Sequence, residues 1–437
     1  MINNKPISKN ALTIYQKYLR QQIQNGETLN PQNSLILALP ENTNLEKVSF
    51  SLRNLDLKGF DLSGADLSVA DLSGANLSGA DLSGANLSGA KLDSATLTSA
   101  DLSGADLSGA TLERAYLSGA KLIDAKLIDA KLIDANLTSA NLIRADLTRA
   151  DLSRAILREA DLSGANLSWA NLSWAKLSDA KLSDAKLINA NLTSANLTSA
   201  NLIRADLSRA ILREADLIGA DLSRVILGYT SLMGADLTYA KFIGANLTVA
   251  NFNSAKLIEA DLSGADLSGV TLLNADLTNA DLSGAILRDD SNPDFTNANL
   301  TKAKLTDLNL KGAILRNTNF LDTNLEGVKF GRVIESSMNN GPGYIKSDLD
   351  PGKFCDLLKR LNPVQIKEVL GDNNDARKHL ESEEILSKND KIKSANIQEV
   401  LNVVAYLERK IGISPSSDPK GSIGVPAVAK ESGLGGK

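Results

Sequence analysis

Cysteine and histidine are almost missing from this chain of 437 residues, which holds one of each, Cys355 and His379. A single thiol excludes an intramolecular disulfide framework, and no Cys/His spacing of the zinc type can be assembled. A nucleophilic Cys–His pair would need those two residues together. Their plain reading is a half-buried cysteine on a helix and a solvated surface histidine. Aromatic residues make up only 4% of the chain, so a large core has to come from smaller side chains. No run approaches 18 consecutive apolar residues, and the polar start Met1–Asn10 lacks the apolar centre of a signal peptide. The expectation is a soluble, cytoplasmic protein with no membrane partner. Lys and Arg total 47 against 52 Asp and Glu, a net charge of −5, too mild to point to nucleic acid. No Gly-rich phosphate loop of Walker or Rossmann spacing precedes a helix. The carboxylates recur as turn residues, not as an isolated pair in a cleft, so paired acid/base hydrolysis has no footing. The composition reads as a non-enzyme, with no catalytic residues, no metal and no cofactor.

What the chain has in abundance is one five-residue phrase: Ala, Asp or Asn, Leu, Ser or Thr, then Gly or a polar residue. Ala70-Asp71-Leu72-Ser73-Gly74 and Ala75-Asn76-Leu77-Ser78-Gly79 are clear copies. Leu or Phe recurs every fifth residue from Leu52 through Leu287 without a slip, 48 times. Asp289–Pro293 shifts the phase by three residues, and the period resumes from Phe295 to Phe330 for 8 more. A period of five fits neither a helix at 3.6 nor a flat strand at 2. It fits a short extended segment followed by a tight turn. Ala and Leu, two apart, then point inward, while Asp/Asn, Ser and Gly suit the turn and the outside. A right-angle turn per repeat closes a square coil every 20 residues, and successive coils pair at about 4.8 Å. Fourteen coils make a rod on the order of 65 Å long.

The motif Ala-(Asp/Asn)-Leu-(Ser/Thr)-Gly resembles that of the pentapeptide repeat proteins over about two thirds of the chain. The resemblance implies an all-β solenoid, a right-handed quadrilateral β-helix, with Leu/Phe and the preceding Ala inward. It also carries a functional alternative, because some members are thought to imitate DNA in shape and charge and to bind DNA-handling enzymes such as gyrase.

Three flanking segments differ from the array. Residues 1–47 place Leu12, Tyr15, Leu19 and Ile23 at helical spacing, an N-terminal helix and cap for the first coil. Residues 48–332 are the repeat region. Residues 333–413 read as a small helical bundle, with an Asn362-Pro363 start and a stripe of Ile397, Val400, Leu401, Val404 and Leu407. Residues 414–437, rich in Ser, Pro and Gly, read as a disordered tail.

Side chains 20 apart share a side of the rod in adjacent coils, and those 5 apart lie on successive sides. Arg144, Arg149, Arg154 and Arg158 therefore spiral around the rod, each near Asp146, Asp151 or Glu159, a poor track for a phosphate backbone. Asp61, Asp81 and Asp101 fall in one column and are the candidate acidic surface. Trp169 and Trp174 sit at outward positions on adjacent sides as candidate anchors, with Tyr116 and Tyr239 as weaker ones. Ile123 and Ile143 stack into a small apolar strip. Asn141–Asp206 contains a copy of its own first six residues three coils on, and Ile156–Ala160 recurs 55 residues away at Ile211–Ala215. Such slippage scrambles any site confined to one side. The expected function is a non-catalytic scaffold that binds protein partners of unknown identity. In it a rigid rod presents the C-terminal helical module, with the DNA-mimicking modulator as the alternative.

Overall fold

In the computed structural model the described residues are 52–288, 291–315 and 318–329, together with two short strands, β1 (Arg332–Val333) and β2 (Tyr344–Ile345). Each repeat resolves into the same hydrogen-bond set, illustrated by Asn76–Ala80. Leu77 N–H donates to Thr96 O at 2.7 Å and Gly79 N–H to Thr98 O at 2.9 Å, both in the next coil. Asn76 N–H donates back to Leu55 O at 2.8 Å, and Ala80 N–H closes a tight turn onto Leu77 O at 3.0 Å. That leaves one N–H per repeat, on the Ser. Asn76 Oδ1 takes it at 3.2 Å and also accepts the Ser78 hydroxyl at 2.7 Å. Every N–H of the pentapeptide has a partner, as buried backbone requires. This is the physical reason for Asp or Asn before each Leu.

In two repeats where Thr takes that place, the acceptor comes from the coil before. Thr111 precedes Leu112, and Glu113 N–H donates to Asp93 Oδ1 at 3.0 Å. Thr271 precedes Leu272, and Leu273 N–H donates to Asn253 Oδ1, also at 3.0 Å.

The turn has a positive φ at its third residue, the signature of type II. Gly79 sits there at φ 63°, as expected for a residue without a Cβ. Many non-glycine residues hold the same conformation, including Arg144 (56°), Trp169 (64°) and the β-branched Val69 (53°) and Val249 (60°). An L-residue in this region costs roughly 1–2 kcal/mol. The geometry of the coil, not the local residue, imposes it.

The residue before each Leu pairs in parallel with the one 20 later, as in Asp61↔Asp81 and Asp81↔Asp101. The ladder runs from Asp56 to Lys329 and gives four flat sides joined by turn corners. At the phase break the offset becomes 23 for one coil, as in Thr271↔Asp294 and Asp281↔Lys304, and then returns to 20 at Asp294↔Ile314. The three extra residues are confined to one corner, where Ser291 N–H and Oγ both donate to Arg288 O, at 3.0 and 2.7 Å.

The interior is a stack of fully buried Leu with Ala in the small position. Burying each Leu contributes about 1.5–3 kcal/mol. Phe242 and Phe252, ten residues apart and so on opposite sides, meet across the core edge to face at 6.0 Å and 83°. Three threonines replace the small Ala and are buried: Thr230, Thr318 and Thr323. Each hydroxyl donates to a carbonyl 23 residues earlier, Thr230 to Leu207 O at 2.7 Å, Thr318 to Phe295 O at 2.9 Å and Thr323 to Leu300 O at 2.8 Å.

Among the described residues there is no helix. The N-terminal helix and cap expected over 1–47 and the tail over 414–437 lie outside them. So does nearly all of the helical bundle expected over 333–413. The described part of that segment is strand instead: β2 pairs in parallel with β1, Arg332 opposite Tyr344 and Val333 opposite Ile345. A short Tyr-Ile pair suits an edge strand, and helical periodicity counts for little over two residues.

Candidate interaction surface

The acidic column runs through three successive coils only at the start of the rod, and Asp261 and Asp281 are neighbours again near the far end. Asp61, Asp81 and Asp101 follow one another, and Lys121 comes next. One oxygen of each carboxylate is engaged in its own turn, accepting from Ser63 N–H at 3.2 Å, Ser83 N–H at 2.9 Å and Ser103 N–H at 3.0 Å. The hydrogen bond from the Ser103 hydroxyl is the largest influence on Asp101 and helps hold its carboxyl below the usual value. Lys121 Nζ lies 3.3 Å from Asp101 Oδ2. The column thus ends in an ion pair, and its carboxylates are structural parts of the repeat.

Three of the four arginines also find partners, though not the ones expected. Each reaches to the coil before it, along a corner: Arg144 to Asp124 at 2.8 and 2.7 Å, Arg149 to Asp129 at 2.7 and 2.6 Å, Arg154 to Asp134 at 2.7 Å twice. Arg204 grips Asp184 in the same way. Asp146 and Asp151 act on Arg149 and Arg154 only through space, as the smallest of their influences. Stacking at one coil spacing brings a corner Arg and a corner Asp into fork-to-fork register, which neighbours along the chain cannot match. The hydrogen bonds from Arg144, Arg149 and Arg204 hold the carboxyls of Asp124, Asp129 and Asp184 below their usual value. All of these pairs are exposed and screened by solvent, so they add little to stability.

Ile123 and Ile143 do stack, with Asp124 N–H donating to Ile143 O at 3.0 Å. Both are half-buried and Ser163 follows them in the column, so the strip presents little free surface. Trp169 and Trp174 are different. They occupy the two corners of a single side at the same level and remain 63% and 62% exposed. Between them lie Asn171 and Ser173, bonded to each other and, through Asn171 Nδ2, to Asp151 at 3.1 Å. The indoles stand at the edges of a flat polar floor.

Stacking by 20 reveals what a linear reading missed on this side. The Trp169 corner continues through Arg209, Tyr229 and Val249, and the Arg209 guanidinium lies 6.0 Å over the Tyr229 ring. Tyr229 is 66% exposed, and Val249, Ile211 and Ile226 nearby are also exposed. The signal was present in the residues 40, 60 and 80 after Trp169. Among the described residues no group of three or more His, Cys, Asp or Glu gathers as a metal site would require, and no helix is long and apolar enough to cross a membrane.

No curated protein matches the chain. Solved structures do. HetL, a pentapeptide repeat protein involved in heterocyst differentiation regulation from the cyanobacterium Nostoc sp. strain PCC 7120, is 38% identical over 50% of this chain and 90% of its own, with a TM-score of 0.32. A pentapeptide repeat protein from the thylakoid lumen of Arabidopsis thaliana is 30% identical over 26% of this chain and 62% of its own, with a TM-score of 0.11. Trypsin-treated QnrB1, a plasmid-mediated fluoroquinolone resistance protein, is 21% identical over 44% and 82%, with a TM-score of 0.29. The family profile for pentapeptide repeats matches eight times, over 51–89, 70–109, 100–138, 130–173, 175–213, 215–253, 250–289 and 294–332. With that succession of matches covering the whole square coil, this chain belongs to the pentapeptide repeat family, whose fold is the right-handed β-helix.

Proposed function

We propose that the chain is a non-catalytic scaffold in which a stiff rod sets the separation of the segments at its two ends. The observation that carries this reading is the parallel ladder from Asp56 to Lys329 around a core of Leu and Ala. A ladder of this kind resists bending, because each coil is tied to the next on four sides, or on three at the phase break. The polar groups of the sides serve the repeat itself, so the rod acts as a spacer and the chain beyond Arg332 is the partner-binding element. The DNA-mimicking alternative draws less support, since the Asp61–Asp81–Asp101 column ends at Lys121 and its carboxylates cap turns.

Affinity capture from the native host tests this, comparing the full-length protein with a version truncated after Arg332. Loss of specific partners on truncation is the expected result. Retained partners that include a DNA-handling enzyme would make the coil sides the binding surface and overturn the spacer reading.

A further inference from the structure

The side bounded by Trp169 and Trp174 differs from the others in charge. From that coil to the one ending at Ser254, its two corners and outward residues fill 20 positions, of which only Arg209, Arg213 and Glu214 are charged. On the opposite side nine of the 20 equivalent positions, from Asp179 to Gly264, are charged. Loss of charge together with gain of Trp, Tyr and Arg is the compositional mark of a buried interface. Arg209 and Glu214 are the two charged corners of this side. Arg209 leans over Tyr229, and Glu214 leans the same way, its Cγ 3.6 Å from where a Cβ on Gly234 would sit.

From this arrangement we infer that two copies of the chain pair side by side and in parallel through this face. A two-fold axis parallel to the rod exchanges the two corners at each level. It sets Arg209 against Glu214 of the second copy, and Tyr229, 66% exposed, against Gly234 of the second copy, which has no side chain. It sets Trp169 against Trp174. Each contact occurs twice, and opposite charges meet, Arg209 leaning over Tyr229 and Glu214 of the second copy over its own Gly234. The other way to lay flat face on flat face, with the rods antiparallel, keeps each corner opposite itself. Centred on the same coil, it puts Arg209 on Arg209 and loses both matches. Both arrangements are closed and isologous, and the parallel one is chosen because it sets Arg209 against Glu214. The strip is roughly 20 Å long at 4.8 Å per coil, at the small end of specific interfaces, so the self-affinity belongs in the micromolar range. The pairing is independent of the spacer reading, because its test reads mass and not captured partners.

The test is sedimentation equilibrium of the full-length chain from about 1 to 200 µM. Wild type should pass from monomer to dimer across that range. Arg209→Glu and Glu214→Arg should each weaken association about tenfold by placing like charges opposite one another. The double variant, Arg209→Glu with Glu214→Arg, should restore it. Both positions are exposed corners, and circular dichroism verifies that each variant keeps the wild-type fold. A wild-type monomer at 200 µM overturns the proposal. So does a dimer that both single reversals leave intact, which would lie elsewhere on the rod, or a double variant no better than the singles.

Discussion

Removing a side chain from this rod should in one place make it more stable. Val69 is held at φ 53°, half exposed, at a turn position where most of the neighbouring coils carry glycine. The left-handed conformation costs an L-residue roughly 1–2 kcal/mol, and a β-branched side chain is among the least suited to it. Val69→Gly removes that strain but loosens the unfolded chain, a loss of about 0.5–1 kcal/mol. With half the side chain already in water, little burial is forfeited. The balance is a gain of about 0.5–1 kcal/mol. Gly79 provides the mirror experiment. It holds φ 63°, and a Cβ built there meets nothing within 4 Å, so Gly79→Val tests backbone strain without a clash. It should cost about the same amount. Because stability in a solenoid sums over coils and their interfaces, the readout should be local: amide hydrogen exchange in the altered coil and its neighbours, alongside denaturant titration. Protection should rise around residue 69 in the first variant and fall around residue 79 in the second. A loss of stability in Val69→Gly, or no cost in Gly79→Val, would refute the claim that the coil imposes strain on its corners.

Three further outcomes are expected. Leu182→Ala, at a fully buried position in the middle of the rod, should cost about 2–5 kcal/mol. The faster exchange should be confined to adjacent coils, and uniform destabilisation of the whole rod would contradict the additive picture. Thr230→Val should cost about 0.5–1.5 kcal/mol in denaturant titration, since the hydroxyl it deletes donates to a carbonyl that keeps its turn bond from Ala210. A stabilised variant would mean that the buried hydroxyl is a burden. Finally, several aspartates have folded-state values below the ordinary 3.8: Asp101 and Asp106 chiefly through serine hydroxyls, and Asp124, Asp129 and Asp184 chiefly through arginine hydrogen bonds. A depressed folded-state value adds stability that is fully present above 3.8 and disappears as pH falls through the lower folded values. The denaturation midpoint should therefore drop below about pH 4, and a midpoint that rises between pH 5 and pH 3 would exclude the effect.

By itself the sequence determined the coil. A fixed period of five, with Ala and Leu two apart, leaves one way to put every apolar side chain on one side of the backbone, and a slip of three residues at 289–293 has to appear as an insertion. Stacking by 20 follows, which is why the Asp61–Asp81–Asp101 column was legible in the sequence. Three things needed the tertiary structure. Which turn N–H the Asp or Asn accepts, that of the residue two further on, depends on the angle at which the turn brings it back, which composition does not contain. The partners of Arg144, Arg149 and Arg154 were misassigned from chain proximity, because a long side chain at a left-handed corner reaches along the rod axis more readily than around it. The Trp169 corner, with Arg209 over Tyr229, was invisible as a unit because its members stand 20 or 40 residues apart. Only the closed coil brings them to one edge, and that juxtaposition belongs to the fold.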